Sequence, residues 1–384
     1  MTCKDKACLT ALLVMVLASP GAAQSGNDLQ IFGFFQNAFM HQTGYTPEAP
    51  FVPESERNSF SVQQHNLFFR KDLDPSWRAF VNYEFLNSFS SARRWGSANL
   101  EEVWVRYRAN ARFSIKFGLS IPVFNNLNEI KNRTPLLPYI VRPLVYETSF
   151  SEFIAVEEYL PARAFVQTYG FVPVGELKVD YALFLGNGPN INDDADVGQT
   201  GVDTTDSFLV GGRLGIRIGD WNAGLSGTRD HFNVAPLEIT PGRIVDLQQL
   251  TRRRFGADIS CVNRDWSLEA EFIDVSYDDD LPEISEDKRF YYATLGYRAT
   301  ERLVLYGSYW VTDDHSTEQF EPQQASVLEQ RVEVPTVGIS YQLRESIMLK
   351  AQYAPVDIDA RVRSLDLEQE TEFDHLSTAV SVVF

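Results

Sequence analysis

The last ten residues alternate between two kinds of side chain, and this pattern restricts the fold more than any other feature of the sequence. Five residues share one face of a strand: Leu376, Thr378, Val380, Val382 and Phe384. The opposite face carries mostly small or polar residues, among them His375, Ser377 and Ser381. Because successive side chains of a strand point to opposite faces, one face of this strand can meet lipid while the other meets a wetter environment.

The same alternation recurs along the chain, so the ending belongs to a series of strands. Sixteen segments are predicted as strands: 29–41, 59–71, 76–88, 98–108, 112–121, 161–172, 176–186, 206–218, 221–230, 249–263, 266–277, 288–299, 302–312, 331–343, 346–356 and 371–384. A tilted strand of about 9–11 residues crosses a bilayer, and bacterial single-chain barrels have an even number of strands. In three of these segments, the first, sixth and thirteenth, the sequence does not decide which face points outward.

The connections between these segments are of two kinds. Short turns are predicted at 72–75, 109–111, 173–175, 219–220, 264–265, 300–301 and 344–345. Longer polar loops are predicted at 42–58, 89–97, 122–160, 187–205, 231–248, 278–287, 313–330 and 357–370. Short periplasmic turns and long extracellular loops are typical of transmembrane barrels. We therefore predict an all-β protein, a single closed antiparallel barrel of about sixteen strands.

Two hairpins can be aligned residue by residue. Around 72–75, the expected register pairs Arg70 with Arg78 and Phe68 with Phe80. Around 109–111, the expected register pairs Arg106 with Ser114 and Trp104 with Lys116. In both hairpins the polar residues fall on one face and the aliphatic and aromatic residues on the other, which favours a membrane barrel over a soluble sandwich.

The ends and the composition limit the remaining choices. Residues 1–23 are typical of a secretory signal peptide, with Lys4 and Lys6 before an apolar stretch and small residues at 20–23. Residues 24–384 then form the barrel domain, in which Cys261 is the only cysteine. The 34 basic and 52 acidic residues give a net charge of −18, which disfavours a nucleic-acid partner. No His or Cys cluster has metal-ligand spacing, so neither a metal nor another cofactor is expected.

The aromatic C-terminus resembles the assembly signal of Gram-negative outer-membrane β-barrels. The resemblance implies that Phe384 is read by the barrel assembly machinery and that the chain resides in the outer membrane, in contact with lipid and lipopolysaccharide. Acidic segments such as 193–196, 278–280 and 313–314 are interpreted as solvated loops, with divalent cations bridging to lipopolysaccharide as the alternative.

The third long loop, 122–160, is too apolar to extend into water, since residues 135–147 contain eight aliphatic or aromatic side chains and three prolines. We expect it to fold into the lumen and narrow it. An outer cover or a subunit contact is the alternative. A sixteen-stranded barrel whose longest loop comes third resembles the trimeric porins, and the stretches 72–77, 99–108 and 113–118 resemble the phosphate-selective porin O/P-like group.

That resemblance implies a water-filled channel for ions and small polar solutes, a homotrimer, and basic residues on loop three at the constriction. This loop carries Lys131, Arg133 and Arg142, but it also carries five glutamates, so it departs from the phosphate-selective pattern. The residues expected to line the pore or its constriction are Glu84, Glu102, Trp104, Arg106, Lys116, Arg142, Glu147, Glu152, Glu157 and Glu158. A periplasmic collar of basic residues is expected at Arg70, Arg78, Arg108, Arg112 and Arg217.

Two other classes of function are considered. One is a surface adhesin or receptor with a plugged lumen and loops that bind a partner. The other, an outer-membrane hydrolase, is not expected, because Gly224–Gly227 is no nucleophile elbow and the pairs at 230–231, 314–315 and 374–375 put Asp and His on opposite faces of a strand. For a pore, the acidic loops predict weak selectivity that tilts toward cations at low salt.

Overall fold

The computed structural model describes residues 29–43, 56–86, 97–146, 159–161, 163–188, 207–232, 237–240, 243–245, 250–278, 287–321, 324–362 and 367–384. The predicted signal peptide lies outside these residues. Within the described ranges, no helix has the length and apolarity that crossing a membrane requires.

Eighteen strands are described, and they are numbered in chain order. The first nine are β1 Gln30–Thr43, β2 Arg57–Asp72, β3 Trp77–Leu86, β4 Ser97–Asn110, β5 Phe113–Ser120, β6 Ala164–Val174, β7 Leu177–Gly186, β8 Leu209–Ile218 and β9 Trp221–Phe232. The others are β10 Leu237–Thr240, β11 Arg243–Val245, β12 Leu250–Val262, β13 Trp266–Tyr277, β14 Asp287–Thr300, β15 Leu303–Glu321, β16 Gln324–Arg344, β17 Ile347–Val362 and β18 Leu367–Val383.

Sixteen of these strands close into one antiparallel barrel, as the sequence predicted. Each barrel strand pairs with its neighbours in sequence, except that β9 pairs directly with β12, because β10 and β11 form a separate two-stranded sheet. The barrel closes where β1 pairs with β18, with Phe34 opposite Val383. Beyond that pair, the Phe384 amide donates to the Gly33 carbonyl at 3.0 Å, and the Gly33 amide donates back at 2.9 Å.

The two faces of the wall are separated as expected. Apolar side chains such as Leu183, Leu214 and Phe255 are exposed on the outside, whereas polar residues are buried on the inside. The three undecided strands are settled by the same criterion. The side chains of Gln36 in β1, Gln167 in β6 and Trp310 in β15 are buried inside the barrel. The outer apolar belt is what a lipid environment requires.

The register of both aligned hairpins differs from the prediction by two residues. In the first hairpin Asp72, and not Arg70, lies opposite Arg78. Arg70 therefore pairs with Phe80. In the second hairpin Arg106 pairs directly with Lys116, and the register shifts near the turn. A slip of two residues keeps every side chain on its predicted face, so the assignment of faces is unaffected while the neighbours change.

The predicted loops 313–330 and 357–370 are wrong in the main, because strands β15 to β18 run through most of both segments. The outer face of these strands changes from apolar residues such as Val337 to charged residues such as Glu333 and Asp357. The strands therefore continue beyond the apolar belt, where backbone pairing persists in a polar setting. The many charged residues in 313–330 and 357–370 had led to the prediction that these segments are loops.

Candidate permeation pathway

Loop three, residues 121–163 between β5 and β6, lies inside the barrel over its described part. It includes two short 3-10 helices, Lys131–Leu136 and Leu144–Tyr146. Its apolar side chains join one buried cluster with the inner wall. Loop members include Phe124, Leu127, Ile140, Val145 and Tyr146; wall members include Ile273, Val275, Phe290, Trp310, Val332 and Ile358. The apolar side chains of the loop therefore pack against the inner wall of β13 to β18.

Burial of these side chains explains why the loop folds inward. Covering one large apolar side chain contributes about 1.5–3 kcal/mol, whereas fixing one residue's backbone costs about 1–2 kcal/mol. The facing wall is itself apolar over several strands, so a loop that stayed in water would leave both surfaces exposed.

Glu271 on β13 is one polar attachment point of the loop. Its Oε1 accepts hydrogen bonds from the amides of Asn126 and Leu127 at 2.9 and 2.7 Å. Its Oε2 accepts one from the Tyr146 hydroxyl at 2.6 Å. Burial, with the nearby Glu271 carboxylate, raises the pKa of Tyr146 well above its usual range, so this phenol remains a donor. One wall carboxylate thus holds two distant parts of the loop.

Two neighbouring positions on β17 form a second attachment point. Gln352 accepts from the amides of Ile140 and Val141 at 2.8 and 2.9 Å. The Lys350 ammonium donates to the carbonyls of Thr134 and Tyr139 at 2.9 and 3.1 Å. Neither residue was predicted from the sequence, because a polar residue on an inner face predicts only contact with the lumen and not a loop partner 211 residues away.

On the other side of loop three, a cavity of about 400 Å³ lies against the inner wall of β1 to β5. Its charged lining residues are Arg70, Arg78, Glu102, Lys116, Glu129 and Arg133. The lining thus carries charges of both signs, drawn from the wall and from the loop. This is the part of the lumen that the constriction prediction concerned.

Lys116 is the centre of the predicted constriction. Its ammonium lies 5.2 Å from the centroid of the Trp104 ring and 3.5 Å from a Glu129 carboxylate oxygen. The Trp104 indole N–H donates to Glu102 at 3.0 Å. The structure thus brings three predicted residues into contact, and Arg106 is the direct cross-strand neighbour of Lys116.

A break in strict alternation adds a carboxylate that sequence analysis missed. Asn82 pairs with Glu102 but Tyr83 pairs with Leu100, so β4 has a bulge there. Glu101 as well as Glu102 is therefore buried, at 6% exposure, and Glu101 forms an ion pair with Arg163 at 3.7 Å. The sequence did contain a sign that Glu101 points inward, because a glutamate that faces lipid destabilises a membrane strand.

The remaining predicted pore residues divide into two groups. Glu84 accepts a hydrogen bond from Gln64 at 3.2 Å and lies within electrostatic reach of the buried Arg142. Arg142 in turn donates to the Lys131 carbonyl. Four predicted residues, Glu147, Glu152, Glu157 and Glu158, lie outside the described residues.

The predicted collar residues lie near the short-turn end of the barrel, but in different settings. Arg70 and Arg78 line the cavity, and Arg78 forms an ion pair with Asp72. Arg108 and Arg112 are exposed beside the β4–β5 turn. Arg217 forms an ion pair with Asp180 at 3.0 Å.

A second charged group on the inner wall was not predicted. Arg213 of β8 bridges Asp180 at 2.8 Å and Asp258 at 2.6 Å. Its guanidinium lies against Gly215 and Gly224, where a Cβ atom would come within 2.6 and 2.3 Å of it. Glycine at these positions gives the side chain room to lie flat on the wall. Because these charges are mutually paired, they line the wall without adding much field.

Several solved outer-membrane proteins share this architecture. An anion-selective porin from Comamonas acidovorans has a TM-score of 0.58 and 12% identity over 94% of this chain and 100% of that one. The channel DcaP of Acinetobacter baumannii has a TM-score of 0.57 and 11% identity, over 94% of this chain and 99% of that one. OmpT of Vibrio cholerae has a TM-score of 0.57 and 10% identity, over 95% of this chain and 100% of that one. The fold is that of the outer-membrane porins.

The predictions of a sixteen-stranded porin barrel and of an outer-membrane type of protein are thus confirmed at the level of the fold. No protein-family model and no curated protein matches the sequence. The Asp374–His375 pair behaves as alternation requires. His375 is buried inside the barrel, while the Asp374 carboxylate is outside and accepts from Tyr353.

Proposed function

We propose that this protein is a passive outer-membrane pore for ions and small polar solutes. The observation that carries the proposal is the position of loop three. Its apolar side chains pack against β13 to β18, and the loop borders a cavity lined by charged residues against β1 to β5. An adhesin would not require charged side chains from wall and loop to face the same internal cavity.

The arrangement of charges suggests how such a pore would select. Four basic and two acidic side chains line the cavity, where few waters screen them, so they should act on passing ions more strongly than exposed charges at the mouth. Mouth charges become important at low salt, where screening is weak. We therefore propose weak selectivity with a tilt toward cations only at low salt.

The proposed setting follows from the same fold. The barrel would lie in the outer membrane with its short turns toward the periplasm and its apolar belt against lipid. A trimeric form of Vibrio cholerae OmpT is among the similar structures, and we propose a homotrimer here as well.

Recording from a planar bilayer tests the proposal. Purified protein in potassium chloride should give stepwise increases of steady current, and a salt gradient should give a small reversal potential. Protein that inserts as a heat-modifiable barrel but carries no current would favour the adhesin.

A further inference from the structure

Four aromatic side chains on β1 to β4 form a continuous stack along the cavity wall. The ring centroids are 5.1 Å apart for Phe32 and Phe68, 5.7 Å for Phe68 and Phe80, and 4.9 Å for Phe80 and Trp104. The angles between ring planes are 27°, 25° and 24°. Rings side by side in one plane could not approach so closely, because their edge hydrogens would collide. The faces therefore overlap in an offset stack.

A cation lies over each end of this stack. The Arg70 guanidinium carbon is 6.0 Å from the Phe32 centroid, and the Lys116 ammonium is 5.2 Å from the Trp104 centroid. A cation is attracted to the negative face of an aromatic ring. With the faces turned to one another or covered by cations, the rings present their edges to the cavity. Ring edges carry partial positive charge, so this wall is both apolar and electropositive.

The carboxylates of the cavity are already engaged. Glu102 accepts from the Trp104 indole and Glu129 lies beside Lys116. Among the described residues, Arg70 and Arg133, which line the cavity, have no carboxylate within ion-pair distance. Two guanidinium groups thus remain for an anion that enters the cavity beside the aromatic stack.

We propose that this cavity is a binding step for aromatic monocarboxylates that pass through the pore, an inference that rests on the proposed function. The carboxylate would pair with Arg70 or Arg133. The ring of the solute would receive the edge of Phe80 on its face, the edge-to-face geometry that aromatic pairs favour. A cavity of about 400 Å³ has room for one substituted ring. Inorganic phosphate would use the guanidinium groups but gain nothing from the stack.

Bi-ionic reversal potentials test this inference, with chloride on one side of the bilayer and benzoate, cyclohexanecarboxylate or phosphate on the other. Benzoate and cyclohexanecarboxylate carry the same charge on a ring of similar size, but only benzoate has an aromatic face. In the wild-type protein benzoate should be the more permeant of the two carboxylates. Phe80→Leu should reduce the permeability of benzoate relative to chloride roughly two- to tenfold, the range that one aromatic pair supplies.

Phe117→Leu is the matched control, because Phe117 lies on β5, two strands away from Phe80, and faces outward, with 46% of its surface exposed. It should leave the permeability ratio unchanged, whereas Arg70→Gln should lower the permeability of both carboxylates. Absence of any current in potassium chloride would refute the proposed pore itself. A normal chloride current with equal permeability of benzoate and cyclohexanecarboxylate in the wild type would refute only the aromatic site, even if Phe80→Leu failed to assemble.

Discussion

At the scale of single residues, the fold depends on which side chains face water and which face lipid. Leu183 is 61% exposed on the outer wall, and Leu136 is 47% exposed beside the internal cavity. Leu183→Arg should lower the free energy of unfolding by roughly 2–4 kcal/mol if it lies near the midplane. Leu136→Arg makes the same chemical change in the lumen and should be tolerated. Urea or guanidinium unfolding in lipid vesicles measures both, and equal losses would contradict the assignment of faces.

Two basic residues that we propose to lie at the constriction should control charge selectivity. Arg106 and Lys116 are direct cross-strand neighbours on the inner wall. Replacing both with Gln removes two positive charges and leaves Glu102 and Glu129 in place, so cation preference should increase at every salt concentration. The reversal potential in a potassium chloride gradient measures this effect. An unchanged potential would mean that neither residue lies on the path of the ions.

At the scale of elements, loop three links the wall to the pore. Removing residues 136–146 would take away the groups that Gln352 binds and uncover apolar side chains such as Ile273 and Val332. The pore should widen, which raises single-channel conductance and admits larger sugars, while the melting temperature should fall. Liposome swelling with sugars of graded size gives the exclusion limit, and an unchanged limit would show that this segment does not narrow the path.

Glu271 tests the same element by a single change. Glu271→Ala removes the acceptor of two loop amides and one phenol and leaves three donors without partners. The loop should loosen, with larger current fluctuations and higher mean conductance. Glu333→Ala, which removes a carboxylate from the outer face, is the control. Its current fluctuations and mean conductance should equal those of the wild type. Indistinguishable noise in the two variants would contradict the attachment.

How far the sequence predicts these elements depends on the physics that each one obeys. Strands and faces followed from period-two alternation, because lipid requires an apolar outer face. The strand registers did not follow from the sequence, because a slip of two residues leaves the alternation of side chains unchanged, as at Arg70 and Arg106. The inward fold of loop three followed from its apolar composition. Its partners on the wall, Glu271 and Gln352, could not be predicted because they join residues more than a hundred positions apart.

At the scale of the whole molecule, closure of the barrel rests on the first and last strands. Phe384 completes the β1–β18 pairing through Gly33, and its ring lies 6.4 Å from the rings of both Phe35 and His65. Deleting Phe384 should leave unfolded protein in the periplasm, because both pairing and the terminal aromatic are lost. Phe384→Tyr keeps both features and should assemble. Fractionation with a heat-modifiability gel distinguishes the outcomes, and normal barrel levels after deletion would contradict this role.

The central claim is that ions pass through the cavity between loop three and β1 to β5. Lys116 and Phe117 are adjacent in sequence, but Lys116 lines the cavity while Phe117 faces outward. In a Cys261→Ser background, Lys116→Cys and Phe117→Cys can each be treated with a negatively charged methanethiosulfonate during single-channel recording. A stepwise change of current is expected only for Lys116→Cys. A normal current that the reagent leaves unchanged in both variants would place the ion path elsewhere.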